Sequence, residues 1–173
     1  MSYTTLPQSR IAGFLFTDTR LSVLWLAVRL YLGYEWFMAG WVKFNNPAWV
    51  GENAGAAVKG FLLGSLQKMS GEHPDVSGWY GYFVENFALN YTEVFSYLVT
   101  FGEIAVGIAL ILGFLTGVSA FFGVLMNYNF MFAGTVSVNP EMALLGILLM
   151  LAWRTAGWYG LDRFVLPRFF MRR

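Results

Sequence analysis

Apolar positions gather into four long runs, and polar residues interrupt them in short breaks. LSVLWLAVRLYLGYEWFMAGWVK covers 21–43 and VFSYLVTFGEIAVGIALILGF covers 94–114; two further runs cover 117–136 and 142–158. As a helix, the first run is about 34 Å long at ~1.5 Å per residue, enough to cross a hydrocarbon layer of about 30 Å. Each run predicts a membrane span. Only LTG separates the second and third, which makes them an antiparallel hairpin. SVNPE joins the third and fourth, with Pro140 suited to the first turn of a new helix.

The remaining large segment, 44–93, carries a helical pattern of its own. Val58, Phe61, Leu62, Leu66 and Met69 recur at three- and four-residue spacings, with Lys59, Gln67 and Lys68 on other faces. Trp79, Tyr80, Phe83, Val84 and Phe87 repeat the pattern opposite Glu85 and Asn86, and SGEHPDVSG between the two groups predicts a turn. Two amphipathic helices follow. They either lie in the headgroup layer or fold as a lid across the mouth of the bundle.

Composition supports lipid as the solvent. Hydrophobic residues make up 57% of 173 and charged residues only 12%, about half the usual share of roughly 25% in soluble proteins. The absence of cysteine excludes disulfides, thiolate metal sites, iron–sulfur clusters and a thiol nucleophile. His73 is the single histidine and sits in a polar turn, so paired-histidine haem ligation within one chain is excluded too. The hydrophobic run from Leu21 is longer than a signal-peptide core and lacks a clean small-x-small cleavage site, so it is expected to be retained.

Charge asymmetry orients the spans. Arg10, Arg20, Arg154, Arg163, Arg168, Arg172 and Arg173 fall on one side, against Asp18 and Asp162; Lys43, Lys59 and Lys68 fall on the other, among six acids. By the positive-inside tendency the arginine side is cytoplasmic, with both termini in. The expected fold is an all-α bundle of four transmembrane helices forming one membrane domain over 1–173, with the helical extracytoplasmic loop at 44–93.

Charges inside a membrane are costly and normally have partners. Arg29 and Glu35 lie in the first run, Glu103 in the second and Arg154 late in the fourth, and the third run adds Asn127 and Asn129. Counted along the spans, these groups are expected to meet in one zone. Arg29 and Glu35 are six residues apart, about 240° around a helix, so their partners must come from other helices. Glu103 is expected to pair with Arg29 or Arg154, with Glu35 nearer the outer end. Structural glue through buried ion pairs is the competing reading, and Arg154 has the further option of snorkelling to the inner interface. Gly33 and Gly40, and Ala105 and Ala109, are expected at close helix–helix contacts.

With these residues in view, the chain resembles the DoxX/DoxD family of four-helix bacterial and archaeal membrane proteins. The matching stretches are RLYLGYEWFMAGWVKF (29–44), FGEIAVGIALILGFLTG (101–117), NYNFMFAGT (127–135) and WRTAGWYGLDRFVLP (153–167). By the resemblance, Arg29, Glu103, Asn127 and Asp162 occupy the family's polar positions. DoxD-like members are associated with thiosulfate:quinone oxidoreductase as a membrane subunit. The lack of cysteine argues against sulfur exchange through a protein thiol here.

Three functional readings follow. The first is a quinone-linked redox subunit in a bacterial or archaeal cell membrane, with Glu103 and Arg29 as a proton and charge relay. Glu35, Asn127, Asn129, Arg154, Trp36 and Tyr128 would then bind substrate, and the quinone would lie among Trp36, Phe37, Trp41, Tyr128 and Phe130. Quinone would be a substrate, with no covalent cofactor. The second is a non-catalytic anchor or assembly partner for a soluble redox or detoxification enzyme, docked through the basic, aromatic tail LDRFVLPRFFMRR. The third is a small-molecule carrier. The expected partners are the bilayer, a redox protein and, left open, further copies of the chain, with no nucleic acid.

Overall fold

The computed structural model describes residues 9–169, and within them the chain is helix and turn only. Helix α1 (Arg10–Thr17) leads through a 3-10 turn at Thr19–Leu21 into α2 (Ser22–Phe44). Helices α3 (Ala56–Gln67) and α4 (Gly78–Asn86) follow, and a second 3-10 turn at Ala88–Tyr91 opens α5 (Thr92–Leu112). Then come α6 (Thr116–Phe132), α7 (Asn139–Leu151), the single turn α8 (Trp153–Ala156) and α9 (Asp162–Phe169). The expected runs correspond to α2, α5, α6 and α7. Pro140 does sit in the first turn of α7, where its missing N–H costs nothing.

One expectation needs correction. The run expected as one helix over 142–158 stops at Leu151, and α8 is a separate turn beyond Ala152. Helix α1, ahead of the first run, meets the following helix at 50°. Ala88–Leu112, with mean hydropathy 2.0, is the one straight helix among the described residues long and apolar enough to cross a membrane. The bent pair Arg10–Thr17 and Thr19–Phe44 passes only together.

Helix α5 runs antiparallel to α2 along its length, and α6 packs chiefly on α7. Glycine sets the first pairing. A Cβ at Gly33 would lie 3.0 Å from the backbone nitrogen of Ile111, one at Gly40 2.8 Å from that of Ile104, and one at Gly107 2.5 Å from that of Phe37. Backbones this close leave no room for a side chain. Gly33 and Gly40 act as expected, but the opposing small residue is Gly107, since Ala105 is exposed. The bundle core is Trp25, Leu32, Trp36, Val106, Leu110, Ala120 and Leu149.

Helices α3 and α4 enclose a second core of Val58, Leu62, Val76, Tyr80, Val84 and Ala88, which Ala133 at the end of α6 completes. The pattern marked α4 well at Tyr80 and Val84, whereas Trp79 and Phe87 point outward. Lys68 Nζ donates to the Gly134 carbonyl at 2.6 Å, the Tyr80 hydroxyl to that of Asn129 at 3.1 Å, and Phe61 meets Phe130 edge-on. These contacts fold the pair as a lid on one end of the bundle. The α5–α6 turn lies at the other end.

Candidate functional site

The buried polar groups form two zones, not one. At the lid end, Lys43 near the close of α2 donates to Glu103 Oε2 at 2.7 Å. The Glu103 side chain is 1% exposed and that of Lys43 19%, so the pair is inside but reachable from one side. Lys43 Nζ also lies 5.1 Å from the centre of the Trp49 ring, a cation–π distance. Ser96, Thr100 and Glu103 follow one another on the buried face of α5 at helical spacing. The Ser96 hydroxyl donates to the Trp49 carbonyl at 2.6 Å. Across from α5, Gly102 faces Met126 on α6. One residue further along each helix come Glu103 and Asn127, both buried. Neither amide atom of Asn127, nor the Thr100 hydroxyl, has a hydrogen-bond partner among the described residues.

Arg29 lies at the opposite end. Its Nη2 donates to the Tyr159 carbonyl at 3.0 Å, and its guanidinium packs against Gly113 and Gly160. Asp162 Oδ1 accepts from the Leu115 N–H at 2.6 Å and Oδ2 from the Thr116 N–H at 2.8 Å. This carboxylate therefore caps the first turn of α6, where the helix dipole and free N–H groups favour an anion. The same turn holds Gly113 and Leu115 at left-handed φ of 64° and 45°. Backbone bonds from Leu161 N to Leu112 O and from Asp162 N to Gly113 O close the clamp.

The expected pairing of Glu103 with Arg29 or Arg154 is therefore wrong. Arg29 reaches Gly113, ten residues from Glu103 along α5, which is about 15 Å of helix rise, with the apolar layer of Trp36, Val106 and Leu110 between them. Arg154 is exposed and lies over Trp153 with its Cζ 5.1 Å from the ring centre, in keeping with the snorkelling alternative. Depth counting does not find Lys43, because this last residue of the first run is counted with the lysines of the outer side. Its flexible stem lets the ammonium reach back into the bundle. Glu35 is half-buried on another face of α2, and Asn129 is exposed, donating to the Leu125 carbonyl at 2.8 Å.

The expected aromatic ligand site does not assemble either. Trp36 is buried with its indole nitrogen against Gly123, Phe37 and Trp41 stack along an outer face of α2, and Tyr128 is exposed beside Phe132. The apolar space lies elsewhere. A chamber of about 270 Å³ sits between the lid and the α5–α6 pair, with Val58, Leu62, Phe83, Val99, Met126 and Phe130 among its walls. Two of its lining residues, Val99 and Met126, are one turn and one residue along their helices from Glu103 and Asn127, respectively.

A family comparison decides the identity. The DoxX family model matches residues 24–137, about two-thirds of the chain. The protein belongs to the DoxX family. It is thereby a member of a helical membrane family, as its apolar runs imply. No curated protein and no solved structure matches the chain. The match takes in Arg29, Glu103 and Asn127; Asp162 lies beyond it. Yet these four, the polar positions picked out by the DoxX resemblance, are each buried to 1% exposure. In this DoxX protein they divide two and two: Glu103 and Asn127 under the lid, Arg29 and Asp162 at the turn end.

Proposed function

We propose that the chain crosses the cell membrane four times with both termini in the cytoplasm. In this reading it serves as the membrane subunit of a quinone-linked redox system. The lid end then faces outward and the Arg29–Asp162 clamp lies toward the cytoplasm. The observation that carries the reading is the buried Glu103 carboxylate, held by Lys43 and one helical turn along α5 from Val99, which lines an apolar chamber. Reduction of a quinone takes up two electrons and two protons. Glu103, reprotonated from water between transfers, would pass the two protons in turn to the quinone oxygens as two electrons arrive from a donor such as thiosulfate, two of which join as tetrathionate. Lys43, partly exposed, would steady the carboxylate and link it to water on the outer side. Arg29 is assigned the positioning of the α5–α6 turn, away from the reacting oxygen.

The test is reduction of a soluble quinone analogue by thiosulfate with purified protein. Turnover by the wild type, lost in Glu103→Gln and kept in Arg154→Gln, is the expected result. No turnover by a folded wild type removes the reading. Because the chain has no cysteine, single-cysteine labelling at position 73 from outside and 168 from inside checks the topology.

One observation favours a second reading, a membrane anchor for a soluble enzyme. On α9, Phe164 is 72% exposed between exposed Arg163 and Arg168; the last four residues of the tail lie outside the described part. Co-purification of a partner that disappears with Arg163→Glu/Phe164→Ala would select it.

A further inference from the structure

The chamber under the lid has a wall composition that discriminates between ligands. We infer that it is a binding site for a single hydrocarbon chain, an isoprenoid tail or a lipid acyl chain, admitted sideways from the bilayer. Of its three hydrogen-bonding side chains, Tyr80 donates its hydroxyl to the Asn129 carbonyl and Asn129 donates one amide N–H to the Leu125 carbonyl. A polar headgroup entering there would lose water and find few donors in return. Its volume of about 270 Å³ exceeds the roughly 150 Å³ that suffices for benzene in a dry apolar cavity. That leaves room for a folded length of chain. The chamber's direction of opening is set by Leu98 on α5 and Leu125 on α6, which line it and are also exposed on the outer surface of the bundle. The mouth therefore lies in the groove between these two apolar helices. The lid core of Val58 and Leu62, each 6% exposed, closes the other side. The inference is independent of the redox reading, because any lipid with a chain satisfies it.

The experiment uses full-length protein in liposomes containing phosphatidylcholine with a diazirine midway along one acyl chain. After illumination, adducts are mapped by mass spectrometry. Val58 and Leu62 should be labelled although they are buried from bulk lipid, alongside the exposed residues Phe122 and Leu144. Filling the chamber with Val99→Trp should abolish the Val58 and Leu62 adducts and leave those on Phe122 and Leu144 unchanged. Ala88→Phe, from another wall, serves if Val99→Trp fails to fold. A long-tailed isoprenoid quinone that displaces the label identifies the isoprenoid as the source, and failure to displace it identifies the acyl chain. Labelling of Phe122 and Leu144 without Val58 or Leu62 overturns the inference. So does displacement by a tailless quinone as effective as by the tailed one, which would mean that the ring is recognised. Labelling needs no turnover, so a negative quinone assay leaves this result standing.

Discussion

Replacing Lys43 with methionine keeps most of the side-chain volume and deletes the one cation that contacts Glu103 among the described residues. At 2.7 Å and an effective dielectric near 20, the gross attraction between the two charges is about 6 kcal/mol. Much of it offsets the cost of bringing both groups out of water. What the variant exposes is that cost on the Glu103 side alone, because an acid with 1% exposure is left without a partner. Removing one member of a buried pair typically costs about 3–5 kcal/mol. The 19% exposure of Lys43 lets some water reach the acid and favours the low end, about 3 kcal/mol. Glu103→Gln is milder, about 1–2 kcal/mol, because Lys43 can turn toward solvent and the amide still accepts a hydrogen bond. The double variant should cost no more than Lys43→Met alone, leaving a coupling of at least about 1–2 kcal/mol. Unfolding in mixed micelles by titrated dodecyl sulfate, followed by tryptophan fluorescence, measures all four proteins. Single costs that add to within about 0.5 kcal/mol would refute a direct ion pair.

Asp162→Ala removes two charge-assisted bonds to the first turn of α6 and should cost about 3 kcal/mol in the same titration. Asp162→Asn should recover about half of that, and equal losses would show that the cap is not the cause. Gly107→Ala forces α2 and α5 apart and should destabilise by about 2 kcal/mol, whereas Gly60→Ala on α3, where a Cβ meets nothing within 4 Å, should stabilise by up to about 1 kcal/mol. Destabilisation by both would show that helix spacing is not what Gly107 controls. Burial raises the pKa of the Tyr80 phenol, which predicts a loss of stability in alkali. The unfolded phenol ionises near pH 10 while the folded one stays neutral. The contribution is therefore full below about pH 10 and is lost as the pH rises toward the higher folded value. Tyr80→Phe should cost about 1 kcal/mol at neutral pH and flatten that alkaline fall; an unchanged slope would place the titration elsewhere.

Local chemistry made much of this protein legible before any coordinates. Hydrophobic run length located α2, α5 and α6, and three- and four-residue spacing located α3 and α4, because burial on one helical face is a property of the chain segment itself. The short LTG break required a hairpin, and the cost of charged and polar groups in lipid singled out Arg29, Glu103 and Asn127. The division of these groups into two zones is a tertiary property. Glycine at 33, 40 and 107 lets α2 and α5 approach until their backbones touch, and that contact sets a register which brings Lys43, not Arg29, to Glu103. Whether the amphipathic pair would float in the headgroups or close the bundle also depended on partners far along the chain, Asn129, Phe130 and Gly134. Periodicity tells each helix which side to bury; distances between helices follow from packing, and only packing puts a particular acid beside a particular base.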